Sequence, residues 1–153
     1  MEVYGWKIYY HPLFKQLLDN LEKEVVHLQE RDPHSYTDHP KCKLLSAIYR
    51  CITQEVPRNP NNRDFLLGKT LGSKYTHWRR VKRPYLPGRS GRYRLFFRFN
   101  SAAKEIFFVW FNDETTLRKA GSKTDVYAVF KKMLDKGNIP SDLAALRKKS
   151  DSP

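Results

Sequence analysis

Six consecutive apolar residues, Ile106–Phe111 (IFFVWF), constrain this chain more than any other feature. A strand of that kind has no polar side to turn to water, so it must be buried on both faces. The segment before it alternates: Tyr93, Leu95, Phe97 and Phe99 point one way, and Arg92, Arg94, Phe96 and Arg98 the other over 92–100. Upstream, residues 78–83 (WRRVKR) read as a further strand. Short connections make these three strands an antiparallel meander. Residues 5–10 (GWKIYY) read as a first strand, followed by two apolar stripes at helical spacing. One runs from Leu13 to Leu28 behind Pro12, the other from Leu44 to Val56 behind Pro40. A third helix carries Val126, Val129, Phe130, Met133 and Leu134, with Thr124 or Asp125 as its cap and Gly137 after its end. The pattern predicts an α+β fold in the order β-α-α-β-β-β-α. A helical hairpin and a C-terminal helix pack mainly on one face of a small antiparallel sheet. A chain of 153 residues suits one domain, expected over 1–149, with 150–153 as a frayed tail.

Charge narrows the partner. Residues 1–64 carry nine basic and nine acidic side chains, and residues 65–104 carry eleven basic and none acidic. Most of the net +13 therefore sits in forty consecutive residues, an electrostatic footprint suited to nucleic-acid phosphates. No apolar run approaches the roughly 18 residues of a membrane span, and residues 1–12 carry no signal-like stretch, so a cytoplasmic protein with no membrane partner is expected. Cys42 and Cys51 fall on opposite sides of one expected helix and cannot bridge. No His/Cys spacing suits zinc, and neither metal nor cofactor is expected. The fragment Gly68-Lys69-Thr70 is not a P-loop, because position 63 is Arg rather than Gly. His11, His27, His34 and His39 read as capping or surface residues, and Trp110 as core.

Residues two apart on a strand share a face. Arg80 and Lys82 therefore project together, as do Arg92, Arg94 and Arg98 on the next strand, and pairing would gather five cations on one sheet face. Lys69, Lys74, Arg79 and Arg83 extend the basic block, so Lys69, Lys74, Arg79, Arg83, Arg92 and Arg98 are candidate RNA contacts. RNA carries its own nucleophile, the 2′-OH. Clustered Arg and Lys side chains could stabilise the transferring phosphoryl group, and a Tyr or Lys could move the proton. Charge alone favours binding without catalysis.

Gly5-Trp6, residues 67–73 (LGKTLGS), 78–82 (WRRVK), 91–99 (GRYRLFFRF) and 110–134 (WFNDETTLRKAGSKTDVYAVFKKML), in this order, resemble the YhaV toxin family of the wider RelE/ParE superfamily. The resemblance implies a RelE-like fold and an mRNA endoribonuclease that stops translation, metal-independent and acting at or with the ribosome. It also implies neutralisation by a PrlF-type antitoxin, with operator DNA bound by the toxin–antitoxin complex. By the same resemblance Arg80, Lys82, Arg94, Arg118 and Tyr127 are the catalytic residues. Arg80 stands where RelE-type nucleases have Lys, and arginine stays protonated, which leaves Lys82 or Tyr127 to assist deprotonation. Arg94 and Arg118 are implied phosphate and transition-state stabilisers. The alternatives are a non-catalytic nucleic-acid-binding regulator and a ParE-like gyrase poison on the same fold.

Overall fold

The structure, a computed structural model, describes residues 1–82, 93–113, 116 and 118–153. Arg83, Arg92, Glu114 and the expected loop 84–91 lie outside the described residues. Strands β1 (Glu2–Val3) and β2 (Trp6–Tyr10) form a hairpin through Tyr4 and Gly5, both at positive φ. Helices α1 (Pro12–Arg31) and α2 (Pro40–Arg50) follow. Both open in the same way: a histidine Nδ1 accepts the backbone N–H two residues on, His11 from Leu13 and His39 from Lys41, each at 3.1 Å, with proline next in the chain. This satisfies one of the donors that a helix start leaves unpaired. Helix α2 runs into a π-helical turn (Cys51–Glu55) and a last helical turn (Val56–Arg58). Then come β3 (Arg79–Val81), β4 (Leu95–Asn100), β5 (Glu105–Phe111), α3 (Val126–Asp135) and α4 (Leu143–Lys149).

The sheet order is β1-β2-β5-β4-β3. The expected meander is present, since β3, β4 and β5 pair antiparallel in sequence. The expectation of an antiparallel sheet is corrected: β2 pairs parallel with β5, so the sheet is mixed. The helical hairpin carries the chain from β2 to β3 at the far edge of the sheet, and β4 and β5 build back until β5 lies beside β2 in the same direction, with a neighbour on each edge.

Helices cover both faces, not mainly one. Ile8, Leu95, Phe97, Ile106 and Phe108 pack in one core with Phe14, Leu18 and Leu21 of α1 and Leu44 and Ile48 of α2. Tyr9, Phe96, Phe107, Val109 and Trp110 pack in a second core with Val126, Tyr127, Phe130 and Leu134 of α3 and Leu146 of α4. A bulge at Phe96/Phe97 sets Phe96 opposite Trp110 and Phe97 opposite Phe108, so Val109 and Trp110 both serve the second core. Trp78 is wholly buried there too, its Nε1 donating to Ser141 Oγ at 3.1 Å. The tail expected to fray instead pairs: Tyr10 and Asp151 exchange backbone hydrogen bonds of 2.8 and 3.0 Å, and Ser152 Oγ accepts from the N-terminal ammonium. No helix among the described residues is long and apolar enough to cross a membrane.

Candidate active site

The register of β3 against β4 sets Arg80 opposite Phe96, on the face that α3 covers. Asp125 fixes where α3 begins, its Oδ2 accepting the Tyr127 N–H at 3.2 Å. The first turn of α3 thus lays Tyr127 over the ends of β3 and β4. Its hydroxyl accepts from Arg80 Nε and from Arg94 Nε, each at 2.9 Å. Arg80, Arg94 and Tyr127 are 6%, 8% and 7% exposed, respectively. A third cation completes the group. Arg118 donates to Asp125 Oδ1 at 2.8 Å, and its guanidinium carbon stands 5.0 Å from the Tyr127 ring centre. The Arg94 guanidinium carbon lies 5.7 Å from the same ring. Three arginines thus surround one phenol, held partly by attraction to its ring face.

The remaining guanidinium bonds set orientation. Arg80 Nη1 donates to the carbonyls of Asp64 (3.2 Å) and Leu66 (2.7 Å). Arg94 Nη1 donates to those of Lys82 (3.1 Å) and Tyr93 (2.9 Å). Arg80 has no carboxylate partner among the described residues. A buried guanidinium without a counter-charge is suited to take an anion, and its Nη2, which has no partner among the described residues, is the nitrogen left to donate to a phosphoryl oxygen.

Lys82 is exposed beside this group. With Arg80 it lines an open cleft of about 760 Å³, whose other wall is built from residues 55–66. The expected open face of five cations is therefore corrected. Arg80 and Arg94 converge with Lys82 near them, but α3 roofs the face and they meet at Tyr127 rather than in solvent. Arg98, further along β4, is half-buried near Asp142, and burial holds its guanidinium below the ordinary range. Arg79 points to the opposite side, over the Phe99 ring at 5.5 Å. Lys69 and Lys74 are exposed on the loop before β3. Lys74 lies near Asp135 at the end of α3, eight residues and so about 12 Å along the helix from Tyr127. Of the six candidate RNA contacts, Arg83 and Arg92 are outside the described residues, and the other four do not join the Tyr127 group. No group of three or more His, Cys, Asp or Glu side chains among the described residues is placed to hold a metal ion.

Residues 8–151 match the family of YhaV toxins, described as toxins with endonuclease activity, of toxin–antitoxin systems. The chain belongs to the YhaV toxin family. The ribonuclease toxin YhaV of Escherichia coli strain K12 is 42% identical over 150 residues, covering 97% of this chain and 94% of that protein. Toxin YhaV of Escherichia coli O157:H7 matches to the same extent. No solved structure matches the chain significantly. This YhaV-family protein is a toxin of a toxin–antitoxin system with endonuclease activity.

In this YhaV-family toxin, one supporting residue and one supporting role escaped the sequence reading. Asn112 is fully buried; its Oδ1 accepts the Arg94 N–H at 2.7 Å and its Nδ2 donates to the Thr116 carbonyl at 2.9 Å. It ties the start of β4 to the loop that leads to Arg118. Asp125 was legible as a helix cap, but it also holds Arg118 and the Lys119 N–H (2.6 Å). A polar residue directly after a wholly apolar strand was the available signal for Asn112.

Proposed function

We propose that this toxin is an mRNA endoribonuclease that cleaves by attack of the 2′-OH on the adjacent phosphate at the Arg80–Arg94–Arg118–Tyr127 group. The carrying observation is the Tyr127 hydroxyl gripped by two buried guanidinium groups, one of which also borders an open cationic cleft. The relative named as a ribonuclease toxin supports RNA as substrate. In the step itself, the 2′-oxygen–phosphorus bond forms and the phosphorus–5′-oxygen bond breaks, leaving a 2′,3′-cyclic phosphate and a 5′-OH. Arg80, Arg94 and Arg118 neutralise charge on the phosphoryl oxygens. Both lone pairs of the Tyr127 hydroxyl accept from guanidinium donors, which leaves its O–H free to donate, and we assign that proton to the leaving 5′-oxygen. Lys82, exposed at the cleft, takes the 2′-OH proton in its neutral amine form and becomes the ammonium. This chemistry uses side chains alone. In the cell we place it at the ribosome in the cytoplasm, silenced by a PrlF-type antitoxin whose complex with the toxin binds operator DNA.

The test is cleavage of a defined mRNA, with and without ribosomes and with EDTA present. Cyclic-phosphate and 5′-OH ends, lost in Arg94→Ala, are expected. Ends bearing 3′-OH and 5′-phosphate overturn the mechanism. Lys82→Arg separates charge from proton transfer: arginine keeps the charge but cannot act as a base, so activity should fall as far as in Lys82→Ala.

A further inference from the structure

The cleft beside Arg80 is larger than one phosphate needs, and its far wall comes from the part of the chain with no net charge. Arg58 and Arg63 stand there, facing Arg80 and Lys82 across about 760 Å³, with Asn59 and Asn62 between them. Of the two acids on the lining, Glu55 is already engaged by Arg50 (3.5 Å) and by the Cys51 thiol (3.5 Å). Four cations against one unengaged acid, Asp64, make the cleft attractive to anions.

A second observation lies beside Arg58. Tyr4 is 59% exposed, and its φ of 51° is a left-handed conformation that bulky residues rarely adopt. With Gly5 at φ 82° it forms the tight β1–β2 turn that lifts the ring out of the fold. Its hydroxyl accepts from Arg58 Nε at 3.3 Å, and the Arg58 guanidinium carbon lies 5.7 Å from the ring centre. Among the described residues, no buried partner accounts for an aromatic ring held outward in this turn. A flat, exposed ring next to cations is the usual platform for an unpaired base.

We propose that this cleft is a subsite for a nucleotide flanking the scissile phosphate of single-stranded RNA. Arg58 and Arg63 hold the flanking phosphates and Tyr4 stacks on a base. Arg80 joins the subsite to the cleavage group, because its Nε holds Tyr127 while its side chain also lines the cleft. The inference rests on RNA as the substrate. It makes residues 58–63 and the β1–β2 turn determinants of which RNA is held, apart from the chemistry of cutting it.

The experiment measures binding of a short, labelled 2′-O-methyl RNA, which cannot be cut, to the full chain over about 50 to 300 mM salt. Unmodified RNA is cleaved in parallel. The Arg58→Ala/Arg63→Ala double variant should flatten the slope of log affinity against log salt by about 1.4, roughly 0.7 for each single-strand phosphate no longer neutralised. Tyr4→Ala should weaken binding about tenfold with the slope unchanged. On unmodified RNA both should raise KM and leave kcat close to wild type. Lys148→Ala, exposed on α4, is the control and should change neither quantity. Wild-type slope and affinity in the double variant, with cleavage intact in the wild type, overturn the subsite and leave the nuclease reading standing. Wild-type binding that depends on Arg58 and Arg63, but without cleavage of unmodified RNA either alone or with ribosomes, overturns the nuclease reading and leaves the cleft an RNA-binding site. A wild-type chain that binds no RNA overturns both.

Discussion

One oxygen atom, the Tyr127 hydroxyl, organises the proposed cleavage group. Tyr127→Phe removes the acceptor shared by Arg80 and Arg94 while keeping the ring that packs against Phe96. Each buried N–H left without a partner costs about 1–3 kcal/mol at most, so the variant should fold with a lowered melting temperature. Its single-turnover cleavage rate should fall about 10²- to 10⁴-fold, the usual share of a positioned proton donor. Asp125 makes a sharper case, because it caps α3 and fixes Arg118 with the same carboxylate. Asp125→Asn keeps an oxygen for the cap, and should stay within about 1 kcal/mol of wild-type stability while losing cleavage. Asp125→Ala should lose both, with about 1–2 kcal/mol gone from the cap alone. Paired chemical melts and cleavage rates separate the two effects. That Arg80, Arg94, Arg118 and Tyr127 belong together was legible because their motifs keep a recognisable order along the chain. Arg58 and Arg63 were not, because the acids that cancel their charge in a residue count are elsewhere in space or already engaged.

The helices begin in a way that ties their stability to pH. His11 is 6% exposed and caps α1 through Nδ1, which can accept only while unprotonated. Burial, and then the nearby Lys149 charge, hold its pKa below the ordinary 6.5. The unfolded chain therefore takes up the proton first. The contribution of this cap is complete above about pH 6.5 and is lost as pH falls toward the folded value. Urea melts at about pH 7.5 and 5 should show wild type losing about 1 kcal/mol more than His11→Asn, whose amide caps at either pH. Equal losses would show that the cap contributes nothing. The starts of α1 and α2 could be read from Pro12 and Pro40, because proline at a first helical position has a local cause. The parallel pairing of β2 with β5 could not. Residues 6–10 would satisfy either edge of the meander, and what decides is where the helical hairpin lands. The second helical layer was implicit in Ile106–Phe111, since a strand apolar on both sides needs a cover on both.

For the molecule as a whole, one sheet is the shared wall of two cores: the Tyr127 group lies against one, and the cleft, bordered by Arg80 and Lys82 at the β3 edge, is also lined by Phe65 of the other. Phe96 and Phe97 are adjacent, wholly buried, and point into different cores. Phe96 stacks on Phe130 at 4.0 Å between ring centres and meets Tyr127 edge-on at 5.9 Å, so it backs the proposed cleavage group. Phe97 meets Phe65 edge-on at 5.4 Å, and Phe65 lines the cleft. Truncating either removes a similar buried volume. Phe96→Ala and Phe97→Ala should therefore cost alike, about 3–5 kcal/mol, a large part of the roughly 5–15 kcal/mol of a typical domain. Their functional consequences should differ. At a temperature where both variants remain folded, Phe96→Ala should lower kcat, because the support beneath Tyr127 is gone. Phe97→Ala should raise KM with kcat nearly kept, because what loosens is the wall that holds the substrate. Steady-state cleavage of one RNA by both variants, beside their melting curves, reads this directly. Equal loss of kcat in the two would mean that the sheet transmits damage from either core to the cleavage group, and that the two regions do not act separately.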